Sequence, residues 1–355
     1  MKKILLTGGG TAGHVTANLA LLPSLMEQGY EIYYMGSYEG IEKKLIADFD
    51  IPYYGISTGK FRRYFDPKNF SDPFRVLKGY SQAKKIIKKL RPDVVFSKGG
   101  FVSVPVVRAA AKMKVPCIIH ESDMTPGLAN RLCSKVATKI CCTFPETVSA
   151  LPEGKAILTG SPIRKELSEG SKEAGLAFCG FTKDKPVIMV VGGSQGSASV
   201  NEAVRASLPV LLEEFQIVHL CGKDKIDNLL LTKEGYKQFE YVKDEMKDVF
   251  AMADVVISRA GANAICELLS LRKPNILIPL PTSQSRGDQI LNAASFESQG
   301  FSIVIEEEYL DCDFLTKKVR ELYKDKQKYI DAMGKSTLND SIKTIMGLIN
   351  EAAQH

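Results

Sequence analysis

The sequence predicts an α/β protein built from two doubly wound, Rossmann-like domains. Its 355 residues exceed the size of one ordinary domain. Its short strand-like runs are apolar throughout, which is typical of parallel strands covered by helices on both faces. A strand, a glycine-rich turn and a helix open the chain, and the same order starts again near residue 187. We therefore predict domains at 1–163 and 164–355, with the last helix free to pack back on the first domain.

Each predicted strand is followed by a helix-compatible segment, which is the pattern of a parallel βαβ sheet. In the first domain the predicted strands are 2–9, 31–37, 93–100, 116–122, 139–144 and 156–160. In the second domain they are 187–193, 216–222, 238–242, 254–261, 275–280 and 301–307. Ligands of open parallel sheets bind beyond the carboxyl ends of the strands. We therefore expect the two domains to face a shared cleft that holds the ligand.

The composition indicates a cytosolic protein. Hydrophobic residues make up 45% and charged residues 25% of the chain, and no apolar run approaches the 18 residues needed to span a bilayer. The apolar run at the N-terminus ends at Gly8, so we interpret it as a strand and not as a signal peptide. The eight cysteines form no C-x-x-C pair, which favours buried, reduced thiols over zinc or disulfides.

Positive charge is concentrated in residues 60–91. This basic segment holds eleven Lys and Arg against two Asp, whereas the whole chain has a net charge of +6. Aromatic and aliphatic residues alternate with the charges, a combination suited to an anionic membrane surface. A solvated basic helix is the alternative. Nucleic acid is not predicted, because no nucleic-acid-binding motif accompanies the charge.

Two glycine-rich turns carry the main prediction of a binding site. Residues 8–14 fit G-x-G-x-x-G between a strand and a helix, where free N–H groups and the helix dipole favour an anion. Residues 192–196 repeat this arrangement in the second domain. The second strand ends without a carboxylate for a ribose, which disfavours a dinucleotide. The first turn, taken alone, could instead serve only to pack a helix on a strand.

Polar residues at two later strand ends extend the predicted site. Glu267 follows the glycine turn of 258–267 and could accept both hydroxyls of a ribose, or could be a carboxylate favoured by the helix dipole. Asp288 and Gln289 begin another helix after a proline-bounded strand, where a cap and a solvent-facing residue are the alternatives.

Two histidines are candidates for a general base. His14 lies in the first glycine turn and is the better candidate, whereas His120 at a strand end is expected to be hydrogen-bonded in place. Glu121 is a weaker candidate. Asp48 and Asp50, like Asp311 and Asp313, have the D-x-D spelling of some metal-dependent transferases. Neither pair follows a glycine turn, so we predict no metal and no cofactor.

Seven motifs in order and over essentially the whole length make the chain resemble the MurG family of glycosyltransferases. They are GGGTAGH at 8–14, SKGGFVSVP at 97–105, HESD at 120–123, TGSPIR at 159–164, GGSQGS at 192–197, SRAGANAICE at 258–267 and RGDQILNA at 286–293. The resemblance departs from the family at Ala12, where many members have glycine, and at Asp123, where an amide is usual.

The resemblance implies a GT-B fold and an inverting, metal-independent transfer. The sugar would pass from UDP-GlcNAc to the C4 hydroxyl of the MurNAc-pentapeptide of undecaprenyl-linked lipid I, giving lipid II of peptidoglycan. It implies a peripheral protein on the cytoplasmic face of the cell membrane. By motif, His14 would serve the acceptor side with Asp123 and Asn130. The donor would contact Thr11, Ala12, Gly13, Arg164, Ser194, Gln195, Val242, Ala262, Asn263, Glu267 and Gln289.

Within that implication, Thr11 to Gly13, Arg164 and Ser194 serve the phosphate and sugar region, Val242 the uracil, Glu267 the ribose and Gln289 the donor sugar. Three alternatives to this reaction stay open: a UDP-GlcNAc epimerase on the same two-domain plan, a membrane-tethered UDP-sugar sensor without turnover, and transfer to a diacylglycerol-type acceptor. The sequence leaves the oligomeric state open.

Overall fold

The computed structural model describes residues 1–59, 68–193 and 195–354, without the side chains of 68–71, 73 and 339. The chain forms two compact units. The first unit comprises Met1–Arg164 and Asp340–His355, and the second comprises Lys165–Asn339.

In the described part of the chain, each unit contains one sheet in which every pair of neighbouring strands is parallel. The first sheet has the order β3-β2-β1-β4-β5-β6-β7 and the second β10-β9-β8-β11-β12-β13. The predicted α/β class with two doubly wound sheets is confirmed. The strands are β1 Lys3–Thr7, β2 Glu31–Ser37, β3 Tyr53–Ile56, β4 Val94–Ser97, β5 Cys117–Glu121, β6 Lys139–Cys142, β7 Ala156–Leu158, β8 Val187–Val191, β9 Gln216–Leu220, β10 Tyr236–Phe239, β11 Val255–Ser258, β12 Asn275–Leu277 and β13 Ser302–Val304.

The helices connect successive strands and cover both faces of each sheet. They are α1 Ala12–Leu19, α2 Leu22–Glu27, α3 Ile41–Ile46, α4 Lys68–Leu90, α5 Ser103–Lys112, α6 Leu128–Ser134, α7 Pro145–Ser149, α8 Lys172–Cys179, α9 Ala198–Glu214, α10 Met246–Met252, α11 Ala262–Ser270, α12 Asp288–Ser298, α13 Cys312–Lys324, α14 Lys326–Gly334 and α15 Ser341–Ala352. Short 3-10 turns lie at Lys165–Ser168, Asn228–Leu230, Glu307–Tyr309 and Thr337–Asp340. Among the described residues, none of these helices combines the length and apolarity needed to cross a bilayer.

The two faces of β1 explain why its sequence is apolar without alternation. Ile4 and Leu6 belong to a buried cluster with residues of α1, α2 and α15. Leu5 between them points to the opposite face and joins a cluster with α4 and α5. Fully burying each such side chain contributes about 1.5–3 kcal/mol, so all three positions favour this fold.

The C-terminal helix α15 completes the first unit. Ile345 and Ile349 are fully buried in the cluster that covers one face of the first sheet. Ser341 at its start donates a hydrogen bond to the carbonyl oxygen of Ser161 at 2.8 Å, beyond the end of β7. The last helix therefore belongs to the core of the unit that the N-terminus begins.

Strand order places a switch point in each sheet. In the first sheet the chain runs outward from β1 to β2 and β3 on one side, and then crosses to β4 on the other side. In the second sheet the same reversal lies between β8 and β11. Ligands of doubly wound sheets bind where the strand order reverses, because the neighbouring connections leave a crevice there.

The structure differs from the sequence prediction at two edge strands. β3 was not predicted, because its four residues include Gly55 and follow Pro52, which are weak strand formers. β10 begins at Tyr236, two residues before the predicted start, since Tyr236 is buried and pairs with Ile217 of β9. Both strands lie at sheet edges. Fewer neighbours pack against an edge strand, so its sequence shows a weaker hydrophobic pattern.

Candidate functional site

Side chains of β2 and α3 form hydrogen bonds to the first glycine turn. Gly8 and Gly10 have φ values of +153° and +84° and so use the conformational freedom of glycine. The Tyr34 hydroxyl donates to the Gly8 carbonyl at 2.7 Å. The amide of Gly10 donates to the carboxylate of Glu42 at 3.3 Å. Side chains of β2 and α3 therefore hold this turn in place.

Glu42 is a buried residue of this site that the sequence analysis missed. Its carboxylate accepts hydrogen bonds from the Ser37 amide at 2.9 Å and the Ser37 hydroxyl at 2.5 Å, besides that from Gly10. Its position in the first turn of α3 resembled an ordinary helix-dipole carboxylate, so the sequence held no distinguishing signal. Because Glu42 occupies the Gly10 amide, an anion would be bound by amides further along the turn.

Those further amides are at the start of α1, where the structure places the predicted residues Thr11, Ala12 and Gly13. Thr11 is the N-cap residue with extended backbone, and its side chain makes no capping hydrogen bond to the described residues. The N–H groups at the start of α1 are therefore not used by a Thr11 cap and can donate to a ligand. The helix dipole favours an anion at this position.

His14 is oriented by the same turn. Its Nδ1 lies 2.9 Å from the Gly9 carbonyl oxygen and 3.2 Å from the Thr11 hydroxyl. A carbonyl can only accept, so Nδ1 carries the proton and Nε2 keeps its lone pair. Burial lowers the pKa of His14, the charge of Lys98 lowers it further, and the Gly9 hydrogen bond partly opposes the decrease. His14 is therefore neutral near pH 7 and able to accept a proton through Nε2.

The turn after β4 interlocks with the first glycine turn at the switch point of the first sheet. Gly99 and Gly100 have φ values of +96° and +83°. A Cβ atom on Gly100 would lie 2.2 Å from the Gly9 carbonyl oxygen and 3.0 Å from Nδ1 of His14. Only glycine allows this approach, so the SKGG motif sets the position of His14 directly.

A buried polar cluster lies beneath the two turns. The Lys98 ammonium is within 2.8 Å of Nδ1 of His120 and 3.0 Å of the Ser161 hydroxyl. Nε2 of His120 lies 2.8 Å from the Gly160 carbonyl oxygen and so donates to it, which leaves Nδ1 as the acceptor for Lys98. Burial first, and then the charge of Lys98, hold the pKa of His120 well below its ordinary value. His120 is thus hydrogen-bonded in place, as its sequence position suggested.

Glu121 and Asn130 hold the segment that follows β5. One Glu121 oxygen accepts from the Asp123 amide at 3.1 Å, and the other accepts from the Gly127 amide and the Asn130 side chain, both at 2.9 Å. Burial raises the pKa of Glu121, and these hydrogen bonds partly oppose the increase. Asn130 is buried and also donates to the His120 carbonyl at 3.0 Å. Asp123 is half-buried on the same segment, next to these anchored groups.

The second glycine turn, in the second unit, also combines positive φ values with a close approach of two chain segments. Gly193 and Gly196 have φ values of +88° and +67°, and a Cβ on Gly196 would meet the Cys221 carbonyl oxygen at 1.9 Å. Ser197 caps α9 by accepting from the Val200 amide at 3.4 Å. Gln195 is exposed. Ser194, which was predicted to bind the donor, lies outside the described residues.

Arg259 links this turn to the neighbouring strand ends, a role that sequence reasoning missed. Its guanidinium donates to the Ile278 and Pro279 carbonyls at 3.1 and 3.2 Å, and to the Ser197 hydroxyl at 2.6 Å. It also forms an ion pair with Glu307. A buried arginine with this many acceptors fixes the carboxyl ends of β11 and β12 against the start of α9.

The helix α11 presents the predicted ribose and phosphate contacts. It begins at Ala262 after Gly261, which offers no side chain to cap it. The Asn263 side-chain oxygen is buried and lacks a hydrogen-bond partner within the described residues. Glu267 is half-buried in the second turn of the same helix. These groups lie at the switch point of the second sheet.

The remaining predicted residues occupy three different places. Gln289 is half-buried at the start of α12, and its side-chain oxygen accepts from the Leu280 amide at 3.0 Å, which leaves the NH₂ group for other contacts. Val242 is buried just beyond β10. Arg164 is exposed and is the last residue of the first segment of its unit. Of the two D-x-D sequences, Asp48 and Asp50 are exposed. Asp311 caps α13.

Two models of known protein families match the sequence, one over most of each unit. The model of the glycosyltransferase family 28 N-terminal domain matches residues 4–142, and that of the family 28 C-terminal domain matches residues 187–346. Among solved structures, the chain is similar to Acinetobacter baumannii MurG at 26% identity with a TM-score of 0.77, covering 99% of this chain and all of the other. A Neisseria meningitidis UDP-GlcNAc 2-epimerase, at 13% identity and a TM-score of 0.71 over 99% and 100% of the two chains, shares the fold.

Curated relatives match over the full length. A protein of Lachnospira eligens is 64% identical and one of Clostridium botulinum is 57% identical, each over 99% of both chains. Both are named UDP-N-acetylglucosamine–N-acetylmuramyl-(pentapeptide) pyrophosphoryl-undecaprenol N-acetylglucosamine transferase. The resemblance to the MurG family is confirmed, and the chain belongs to glycosyltransferase family 28.

Proposed function

We propose that the protein transfers GlcNAc from UDP-GlcNAc to the C4 hydroxyl of the MurNAc-pentapeptide of undecaprenyl-linked lipid I, which yields lipid II for peptidoglycan synthesis. The observation that carries this proposal is the full-length identity of 57–64% to relatives named for this transfer. The alternative of a diacylglycerol-type acceptor has no comparable support among these relatives.

The second unit supplies the donor site in this proposal. Glu267 on α11 accepts the ribose hydroxyls, the backbone at Val242 contacts the uracil, and the NH₂ group of Gln289 contacts the sugar. The uncapped start of α11, with Ala262 and Asn263, adds donors near the diphosphate. The exposed Gln195 and Arg164, together with Ser194, complete the contacts to the phosphate and sugar.

The first unit supplies the base and the acceptor side. His14 accepts the proton of the attacking hydroxyl through Nε2, since Nδ1 is held by the Gly9 carbonyl. The amides at Thr11 to Gly13 stabilise negative charge at the start of α1. Glu121 and Asn130 keep the Asp123 segment in place for the acceptor, because their polar atoms are engaged in holding that segment.

A membrane-facing surface on the first unit suits a lipid-borne acceptor. Phe74 and Leu77 on α4 are 75% and 65% exposed. Leu77 also lines a groove of about 860 Å³ between α4, α5 and α6, together with Tyr80, Leu132 and Val136 among others and with Arg108 and Lys112. Basic residues near an anionic leaflet contribute about 1 kcal/mol each. This surface and the basic segment dock the protein on the cytoplasmic face; residues 60–67 of that segment lie outside the described residues.

The experiment is incubation with radiolabelled UDP-GlcNAc and a lipid I analogue. We expect labelled acceptor from the wild type and at least a roughly hundredfold loss in Glu267→Ala and Gln289→Ala, because donor contacts of this kind contribute a few kcal/mol to transition-state binding. Glu202→Ala, an exposed residue of α9, is the matched control that keeps activity. Epimerised sugar in the absence of acceptor would support the epimerase instead, and donor binding without any turnover would support the sensor.

A further inference from the structure

The buried cluster of Lys98, His120 and Ser161 is not explained by the contacts assigned to the substrates. Lys98 is 1% exposed and follows β4 at the switch point of the first sheet. Its amide donates to the Thr7 carbonyl at 3.0 Å, which continues the pairing of β4 with β1. Its side chain then reaches His120 near the end of β5 and Ser161 just after β7. Lys98 thus links the ends of β1, β4, β5 and β7, next to the turn that holds His14.

The side chains of His120 and Ser161 surround the positive charge of the Lys98 ammonium. Both ring nitrogens of His120 have assigned roles, since Nε2 donates to the Gly160 carbonyl and Nδ1 faces the Lys98 ammonium. Ser161 offers its hydroxyl oxygen to the same ammonium at 3.0 Å. His120 therefore acts as a neutral acceptor that holds a cation in the interior. At least two of the three donors of the buried ammonium meet acceptors in this cluster. Burying a cation is costly even so, and the arrangement therefore indicates a role for the charge.

The position of Lys98 relative to His14 suggests that role. Gly100, two residues after Lys98, packs against the Gly9 carbonyl and Nδ1 of His14. On the other side, a Cβ atom at Gly8 would lie 3.3 Å from the Lys98 Cβ. Lys98 therefore touches both turns that hold the imidazole. The charged groups that act on His14 are Lys98, Asp123 and Glu42, of which only Lys98 opposes a positive imidazole.

We propose that Lys98 is a positioning residue for the transfer reaction. Its buried side chain joins the ends of β4, β5 and β7, fixes the 97–101 turn against His14, and adds to the effect of burial a positive charge that opposes protonation of the imidazole. This rests on the proposed function only for its consequence in catalysis. The state of His14 itself is a property of the folded chain and can be measured without any substrate.

The test is an NMR titration of the histidine side chains in the full-length protein, with His14 assigned from the spectrum of His14→Gln. In Lys98→Met we expect the His14 midpoint to rise by at least about half a pH unit, because loss of the positive charge removes its repulsion of the protonated imidazole. The acid limb of kcat/KM should move to higher pH by the same amount. Lys273→Met, which removes a half-buried lysine of the second unit that donates to the Ala253 carbonyl at 2.8 Å, should leave the midpoint unchanged.

Ser161→Ala separates charge from packing, because it removes one acceptor and keeps the ammonium. It should leave the His14 midpoint near that of the wild type. An unchanged midpoint in a folded Lys98→Met, or an equal shift in Ser161→Ala, would overturn the proposal. If Lys98→Met does not fold, Lys98→Gln takes its place, because the Gln amide can donate hydrogen bonds to His120 and Ser161 without carrying the charge. The same rise in the His14 midpoint is expected in that variant, and an unchanged midpoint would overturn the proposal. If transfer fails in the wild type while the midpoint shifts as expected, the proposed reaction is wrong and the role of Lys98 in holding His14 stands.

Discussion

At the scale of single residues, the tautomer of His14 determines what the first unit can do. The Gly9 carbonyl fixes the proton on Nδ1, and burial keeps the ring neutral. A neutral imidazole with one directed lone pair is suited to accept a proton from a hydroxyl at neutral pH. The same residue, if protonated, could only donate.

We expect His14→Gln to lower kcat by about 10²–10⁴-fold, the usual contribution of a general base. The Gln side chain preserves a hydrogen bond to the turn but has no basic nitrogen. Binding of UDP, measured by calorimetry, should remain within about twofold of the wild type, because the proposed donor contacts lie mainly in the second unit. Wild-type kcat in this variant would remove His14 from the mechanism.

At the scale of elements, the two interlocked turns of the first unit matter more than either turn alone. Gly9 and Gly100 meet so closely that a methyl group on Gly100 would overlap a backbone carbonyl. The matching turn of the second unit has the same property at Gly196, which approaches Cys221. In both units a glycine of a binding motif is required by a close approach of two chain segments as well as by its φ angle.

Gly100→Ala and Gly154→Ala form a matched pair that tests this statement. Both glycines have positive φ, +83° and +74°, but a Cβ on Gly154 would meet nothing within 4 Å. We expect Gly154→Ala to lower the free energy of unfolding by about 1–2 kcal/mol, the strain of a positive φ alone. Gly100→Ala should lower it by more and reduce transfer severely. Equal effects in urea unfolding and in activity would show that the contact with Gly9 is unimportant.

At the scale of the whole molecule, buried histidines couple stability to pH. His219 is hydrogen-bonded to Tyr236 and Asn201, and burial lowers its pKa to about 3. Its folded pKa is below that of the unfolded chain, so the unfolded state binds more protons between these values and stability falls as the pH falls below about 6.5.

We therefore expect the free energy of unfolding to decrease between about pH 7 and 5, with a slope approaching 1.4 kcal/mol per pH unit for each such histidine. His120 contributes in the same direction. Urea unfolding at several pH values measures the slope, which should be shallower in His219→Gln although that variant is less stable. Burial raises the pKa of Glu121, which contributes a slope of the opposite sign, so the comparison with His219→Gln is the decisive one. Equal slopes in the wild type and in His219→Gln would contradict the assignment of His219 as neutral.

The proposed membrane surface makes a prediction about the intact protein. Replacing Phe74 and Leu77 by Ser and Gln should weaken binding to vesicles that contain anionic lipid by about tenfold or more, since each buried side chain contributes roughly 1.5–3 kcal/mol. Leu229→Gln is the control, because Leu229 is 91% exposed but lies in the second unit. Vesicle co-sedimentation measures the effect. Equal binding by all three proteins would exclude the α4 surface as the membrane contact.

The features of this molecule that depend on short stretches of sequence could be predicted from the sequence. The apolar runs, the glycine turns and His14 all carry short-range patterns, and these predicted the fold class and the family. Glu42, Lys98 and Arg259 could not be assigned, because their roles depend on partners 5 to 63 residues away in the chain. Likewise, the hydrogen bonds of Glu121 to Gly127 and Asn130 became visible only once the segment after β5 was folded.

The most direct measurement of the central claim is analysis of the reaction products by mass spectrometry and NMR. We expect the lipid-linked acceptor to gain one N-acetylhexosamine in β linkage, inverted from the donor, with an equal amount of UDP released. Release of UDP or isomerisation of the sugar, with the acceptor unchanged, would contradict it.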